Sequence, residues 1–98
     1  MDTFWRTRVQ NKPQPKLYYI QDARSYVGNS ILWWGPNSGG YTTDICKAGK
    51  YPEPEAKVIC DNRDTDIAWP CDYIDGIVSK HVDMQNVKTR MIKRWKPL

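Results

Sequence analysis

Apolar and polar positions along this chain fall into short runs separated by clusters of turn-forming residues, the pattern of a small α+β domain. Leu17-Tyr18-Tyr19-Ile20 is rich in β-formers and predicts a first strand, with Asp22-Ala23-Arg24-Ser25 turning the chain back. Val27-Gly28-Asn29 reads as a turn into a second strand, Ser30 to Trp34, with Gly28 or Asn29 tolerating left-handed φ. Gly35-Pro36-Asn37-Ser38-Gly39-Gly40 then punctuates the backbone before Tyr41-Thr42-Thr43, which favours extended chain. Pro36 suits the first central position of a turn, and Gly39 or Gly40 supplies a positive φ. The expected sheet is a three-stranded antiparallel meander. Alternation sends Trp33 and Trp34 to opposite faces, so one indole is core and the other is exposed, covered by a later segment or in contact with a partner; alternatively both are buried, one on each side of a central strand.

Helices are the natural cover for such a sheet. Thr43 or Asp44 can cap a single turn through Ile45, Cys46 and Lys47, with Gly49 as the stop. A second helix is expected to begin at Pro52 to Pro54. Glu53 and Glu55 there complement the dipole, and Ala56, Val58, Ile59 and Cys60 form an apolar side before Asp61-Asn62 breaks it. Residues 61 to 68 are polar and read as loop. Pro70 then opens a third helix with Tyr73, Ile74, Ile77 and Val78 as its apolar face; Gly76 means either that another backbone packs closely or that the helix is short.

From Asp83 onward, Met84, Val87, Met91 and Trp95 recur at three- or four-residue spacing among Lys88, Arg90, Lys93, Arg94 and Lys96. That periodicity predicts an amphipathic C-terminal helix with a basic face, capped by Asp83 and ended before Pro97. Residues 1 to 16 mix Phe4 and Trp5 with four basic side chains and two prolines, and read as an arm that tacks onto the core or reaches a second subunit or partner. The organisation is thus an arm, 1–16, and one α+β domain, 17–98.

Charge modifies this picture. The net +4 is placed at the ends: residues 1 to 17 carry +3 and residues 88 to 98 carry +5, leaving −4 for the body between them. A dedicated nucleic-acid binder gathers its basic residues on a folded face, so basic ends on an acidic body point away from that class without removing tails that touch phosphate. Five Trp and six Tyr against one Phe supply residues that serve both a small core and recognition surfaces. Three cysteines, no signal peptide and no apolar run of membrane-spanning length place the chain in a reducing cytoplasm with free thiols.

Candidate chemistry is sparse. Cys46, Cys60, Cys71 and His81 match a zinc site in number but contain no C-x-x-C knuckle, so no metal and no cofactor are expected. A cysteine nucleophile with His81 as base, or a carboxylate pair drawn from Asp61, Asp64, Asp66, Asp72 and Asp75, has no local motif, and the expected class is not an enzyme. The Gly35 to Gly40 loop lacks the order of a phosphate-binding loop and joins two strands, yet Trp33, Trp34 and Tyr41 beside it make a candidate nucleotide site.

The strings Tyr18-Tyr19-Ile20-Gln21-Asp22, Tyr26-Val27-Gly28-Asn29, Leu32-Trp33-Trp34 and Gly40-Tyr41-Thr42-Thr43-Asp44-Ile45, with Ala48 and Tyr51, resemble a group of small proteins encoded by bacteriophages and prophages. The likeness continues through Thr65 to Pro70 and Tyr73-Ile74-Asp75 to His81-Val82-Asp83-Met84, covering residues 17 to 84. The resemblance implies a phage source, a host-cell cytoplasm and a compact domain rather than a reaction. The expected function is therefore that of a non-enzymatic phage protein that binds a host protein, either as an accessory factor or as a counter-defence inhibitor. Its candidate binding residues are Trp33, Trp34, Asn37, Tyr41, Lys88, Arg90 and Arg94. Alternatives are nucleic-acid binding through the basic ends, with Trp5 and Trp95 as anchors, or a nucleotide sponge. No membrane contact is expected, and a homodimer is a further expectation.

Overall fold

A computed structural model describes residues 16–91 and shows an α+β fold built on a curled antiparallel sheet. The long strand β1 (Leu17–Val27) is its hub. It pairs with β2 (Ser30–Trp34), which pairs in turn with β3 (Tyr41–Thr42), and also with β4 (Tyr51–Pro52) and β5 (Asp66–Pro70). The meander expected from the pattern is present as β1-β2-β3, but the sheet of the described residues has five strands rather than three. The added β5 lies in the stretch read as loop. Its polar appearance came from Asp66, which is buried against an arginine instead of being solvated.

The expected turn at residues 22–25 is a bulge. Asp22 pairs with Leu32 and Tyr26 with Ile31, so Ala23, Arg24 and Ser25 are extra residues on β1 and the strand continues to Val27. Ala23 N donates to Thr65 O at 2.8 Å and Arg24 N to the Asp22 carboxylate at 3.0 Å, which gives the bulged backbone the partners that the ladder cannot. The turn after it is as the sequence implies, with Gly28 at φ 60°.

In the hairpin loop, Pro36–Ser38 form a short 3₁₀ turn and Gly35 N donates to Gly40 O at 2.8 Å. Gly40 takes the positive φ of 79° that its lack of a Cβ permits. Tyr51 locks this loop from β4: its hydroxyl accepts from Ser38 N at 2.9 Å and donates to Gly35 O. Asp44 caps the turn Ile45–Lys47, its carboxylate accepting from Cys46 N at 2.9 Å.

Helix α1 (Glu53–Asn62) forms where Pro52 to Pro54 and the early glutamates place it. It buries Ala56 and half-buries Ile59 and Cys60, whereas Val58, expected on the apolar side, is exposed because it lies off that face. Helix α2 (Cys71–Asp75) follows Pro70 directly and stops at Gly76, so the short-helix alternative holds. Tyr73, Ile77 and Val78 consequently do not form a buried face; Ile74 is the buried apolar position, beside the buried Cys71.

The period-2 alternation gives the sheet two apolar faces. Tyr19 and Trp33 pack with Ala48, Cys71 and Ile74, supported by Trp69. Ile20 packs on the other face with Tyr51 and Ala56, supported by Trp34, Ile59 and Ala68. Trp33 and Trp34 thus do face opposite ways, and each meets a core.

The expected C-terminal helix is not formed over the described residues. Asp83 does cap, accepting from Gln85 N at 2.9 Å, but the chain continues from it as two 3₁₀ turns, Met84–Asn86 and Thr89–Met91. Met84 is 81% exposed and Met91 74% exposed, so the described part of the apolar stripe is not packed on the sheet, and a short helix without tertiary packing is marginal in water. The arm residues 1–15, and Arg94 and Trp95, lie outside the described residues. Among the described residues no helix is long and apolar enough to cross a membrane.

Candidate binding surfaces

Around the β1–β5 pair, within reach of the Tyr41 side chain on β3, the two ion pairs found among the described residues lie together. The antiparallel register sets Asp22 of β1 directly opposite Asp66 of β5, and both are buried, at 2% and 5% exposure. Each has its own arginine. Arg24, delivered by the bulge, donates from Nε and Nη2 to the Asp22 carboxylate, the shortest contact being 2.7 Å. Arg63, at the end of α1, donates from Nε and Nη2 to the two Asp66 oxygens at 3.0 Å each. Both pairs have the two-point geometry in which a guanidinium meets a carboxylate most favourably.

The two guanidiniums converge on one atom. Arg24 Nη2 donates to the Tyr41 hydroxyl oxygen at 3.3 Å and Arg63 Nη2 at 3.1 Å. Trp34 completes the cluster: its Nε1 donates to Asp66 at 3.2 Å, the Arg63 guanidinium lies 5.7 Å from its ring centroid, and Tyr41 meets it edge-on at 6.0 Å. The arginine beside it holds the Asp22 carboxyl below its ordinary value, chiefly through the side-chain hydrogen bonds, against an opposing push from burial. Arg24 and Arg63 are correspondingly raised, each first by its aspartate, and Arg63 next by Tyr41.

This arrangement reassigns the sequence candidates. Trp33 is 5% exposed in the core and presents no binding surface. Trp34 is half-buried, with one partner a guanidinium and another Tyr41, so it is a support for the ion pairs rather than a platform on which a base stacks. Tyr41 is 45% exposed at the cluster's outer edge. Asn37 sits at the exposed tip of the hairpin loop at φ 54°, away from any hydrogen bond to the cluster. Lys88 and Arg90 are exposed on the C-terminal segment and share nothing with Tyr41. Sequence reading placed Asp22 and Arg24 in a turn and Asp66 among scattered carboxylates and did not single out Arg63, so it missed the assembly of these four residues. The spacings Asp-x-Arg and Arg-x-x-Asp are visible in the chain, but such neighbours are common on solvated surfaces and gain meaning only through burial.

The potential metal ligands are not assembled: among the described residues no three His, Cys, Asp or Glu side chains come together to hold an ion. Cys71 is buried, Cys60 half-buried and Cys46 exposed, and burial pushes the Cys71 thiol up to about 11. Asp75 accepts from the Tyr19 hydroxyl at 2.6 Å, a structural contact that pins α2 to β1.

The second surface is residues 77–91. Ile77, Val78, Val82, Met84, Val87 and Met91 are all exposed, interspersed with Lys80, His81, Lys88 and Arg90. No family model, curated protein or solved structure matches the chain.

Proposed function

We propose that this chain is a non-enzymatic phage accessory protein that binds a host protein through residues 77–91. The carrying observation is a mismatch between pattern and structure. Met84, Val87 and Met91 have the spacing of one helical face, yet among the described residues they stand exposed, Met84 and Met91 on 3₁₀ turns and Val87 in extended chain between them. A segment with an encoded but unpartnered apolar stripe is suited to fold onto a partner's groove, gaining there the burial that stabilises a helix. Lys80, Lys88 and Arg90 flank the stripe, so the complementary groove is apolar with an acidic rim.

The buried carboxylates support the non-enzymatic reading. Asp22 and Asp66 are each engaged by a guanidinium at two points, an arrangement that fixes structure and leaves neither as a poised acid or base. The phage origin rests on the resemblance of residues 17 to 84.

The test is capture from host lysate with the full chain, beside Met84→Asp, Val87→Asp and Met91→Asp variants. The reading expects a discrete host protein retained by the parent and lost with each aspartate, with a gain of helical circular dichroism when the purified pair is mixed. Retention unaffected by all three substitutions would remove this segment from the interface. An affinity for nucleic acid that falls steeply with salt and disappears when residues 88 to 98 are deleted would favour the nucleic-acid alternative instead.

A further inference from the structure

The Tyr41 hydroxyl accepts from two guanidiniums and still carries its own proton, because a phenol has one hydrogen to donate besides the lone pairs that accept. Among the described residues that proton meets no acceptor, and neither does Nη1 of Arg24 or of Arg63; the hydrogen bonds of these guanidiniums to described residues run through Nε and Nη2. The side chains of Arg24 and Arg63 are 49% and 36% exposed, and Tyr41 is exposed between them. Three partly exposed side chains that meet at the Tyr41 oxygen therefore each keep a donor without an acceptor among the described residues.

We infer that Arg24, Arg63 and the Tyr41 hydroxyl form a binding site for a phosphomonoester, with the two Nη1 groups and the phenolic proton as its donors. Both Nη2 atoms reach one oxygen, which places the two guanidiniums close enough for a single tetrahedral anion to bridge them. The aspartates beneath them hold the guanidinium planes in place, so little side-chain freedom remains to be lost on binding. Their negative charge is buried on the inner side while the positive groups face outward, which separates the charges along the direction from which an anion approaches. The Trp34 ring lies 5.7 Å from the Arg63 guanidinium carbon and adds a cation–π contact to the same side chain. A dianionic phosphate matches two cations and a neutral donor better than a single carboxylate does. The site is distinct from residues 77–91 and stands or falls independently of them.

Inorganic phosphate and the terminal phosphate of a nucleotide share this chemistry, and titrations of the full chain distinguish them. Phosphate, adenosine monophosphate, adenosine and glutamate are each followed by calorimetry at low salt. The expected result is saturable binding of phosphate and adenosine monophosphate and none of adenosine or glutamate. A tighter fit for the nucleotide identifies it as the source, and equal affinities identify the phosphate alone. Tyr41→Phe keeps both ion pairs and should weaken binding about fivefold, the loss of one neutral hydrogen bond. Arg24→Gln should weaken it at least about tenfold, with circular dichroism confirming the fold. Non-saturable heats, glutamate binding as tightly as phosphate, or an unchanged affinity in Tyr41→Phe would each overturn the assignment.

Discussion

Asp22 and Asp66 face each other across the β1–β5 ladder, two buried carboxylates in direct register. Like charges in that relationship repel, and a sheet accommodates them only when each is neutralised locally. Arg24 and Arg63 do so from opposite directions, one from a bulge in β1 and one from the end of α1, and both then reach Tyr41 on β3. The bulge, the helix terminus and the edge strand are joined by this one network.

Removing one arginine should therefore expose the repulsion. Arg63→Ala is expected to lower the urea midpoint markedly, and much less in an Asp66→Asn background, where no buried charge is left unpaired. A double-mutant cycle on the four chains measures the coupling; strict additivity would show that the pair contributes nothing as a pair.

Acid should weaken the same network. Arg24 holds the folded-state pKa of Asp22 below its unfolded value of 3.8, so the unfolded chain binds the proton more readily. The stabilisation is fully present above the unfolded value and is lost as pH falls through the folded one. Urea midpoints measured from pH 7 downward should hold until about pH 4 and then fall, and Asp22→Asn should flatten part of that decline.

The hairpin loop depends on a close backbone approach. A Cβ on Gly49 would stand 2.7 Å from Gly35 O and 2.9 Å from Pro36 Cα, both backbone atoms with little room to yield. Gly49→Ala should cost about 1–3 kcal/mol. Tyr51→Phe, which leaves Ser38 N and Gly35 O without their shared partner, should cost a similar amount, about 1–3 kcal/mol. Denaturant melts of both variants check this.

The three thiols should separate by accessibility. Cys46 is exposed, whereas burial raises the half-buried Cys60 and takes the buried Cys71 to about 11, so neither of these two thiols ionises readily at neutral pH. Alkylation of the native protein at about pH 7.5, followed by mass spectrometry, should modify Cys46 first and Cys71 only after unfolding.

Core truncations should rank with burial. Replacement by Ala should cost about 2–5 kcal/mol at Ile20, which has no exposed surface, and about 3–5 kcal/mol at Trp33. Val58→Ala, on the exposed side of α1, should change stability by less than about 0.5 kcal/mol. Thermal or urea melts of the three variants test the order.

Sequence alone determined the features that nearest neighbours decide. The turn at Gly28, the hairpin around Gly35 to Gly40, the Asp44 cap, the start of α1 among prolines and glutamates, and the opposed faces of Trp33 and Trp34 all come from φ preferences, capping and the period of a strand. Only tertiary structure decided the features that depend on a distant partner. Asp66 reads as a loop residue until Arg63 neutralises it and β1 supplies a ladder, and Asp22 to Ser25 read as a turn until the backbone of Thr65 gives Ala23 a hydrogen bond. The segment after Asp83 carries the periodicity of a helix, but over the described residues its apolar side chains are exposed and it forms 3₁₀ turns instead. Periodicity states which side chains share a face; whether the face forms depends on the free energy of burying it against something else.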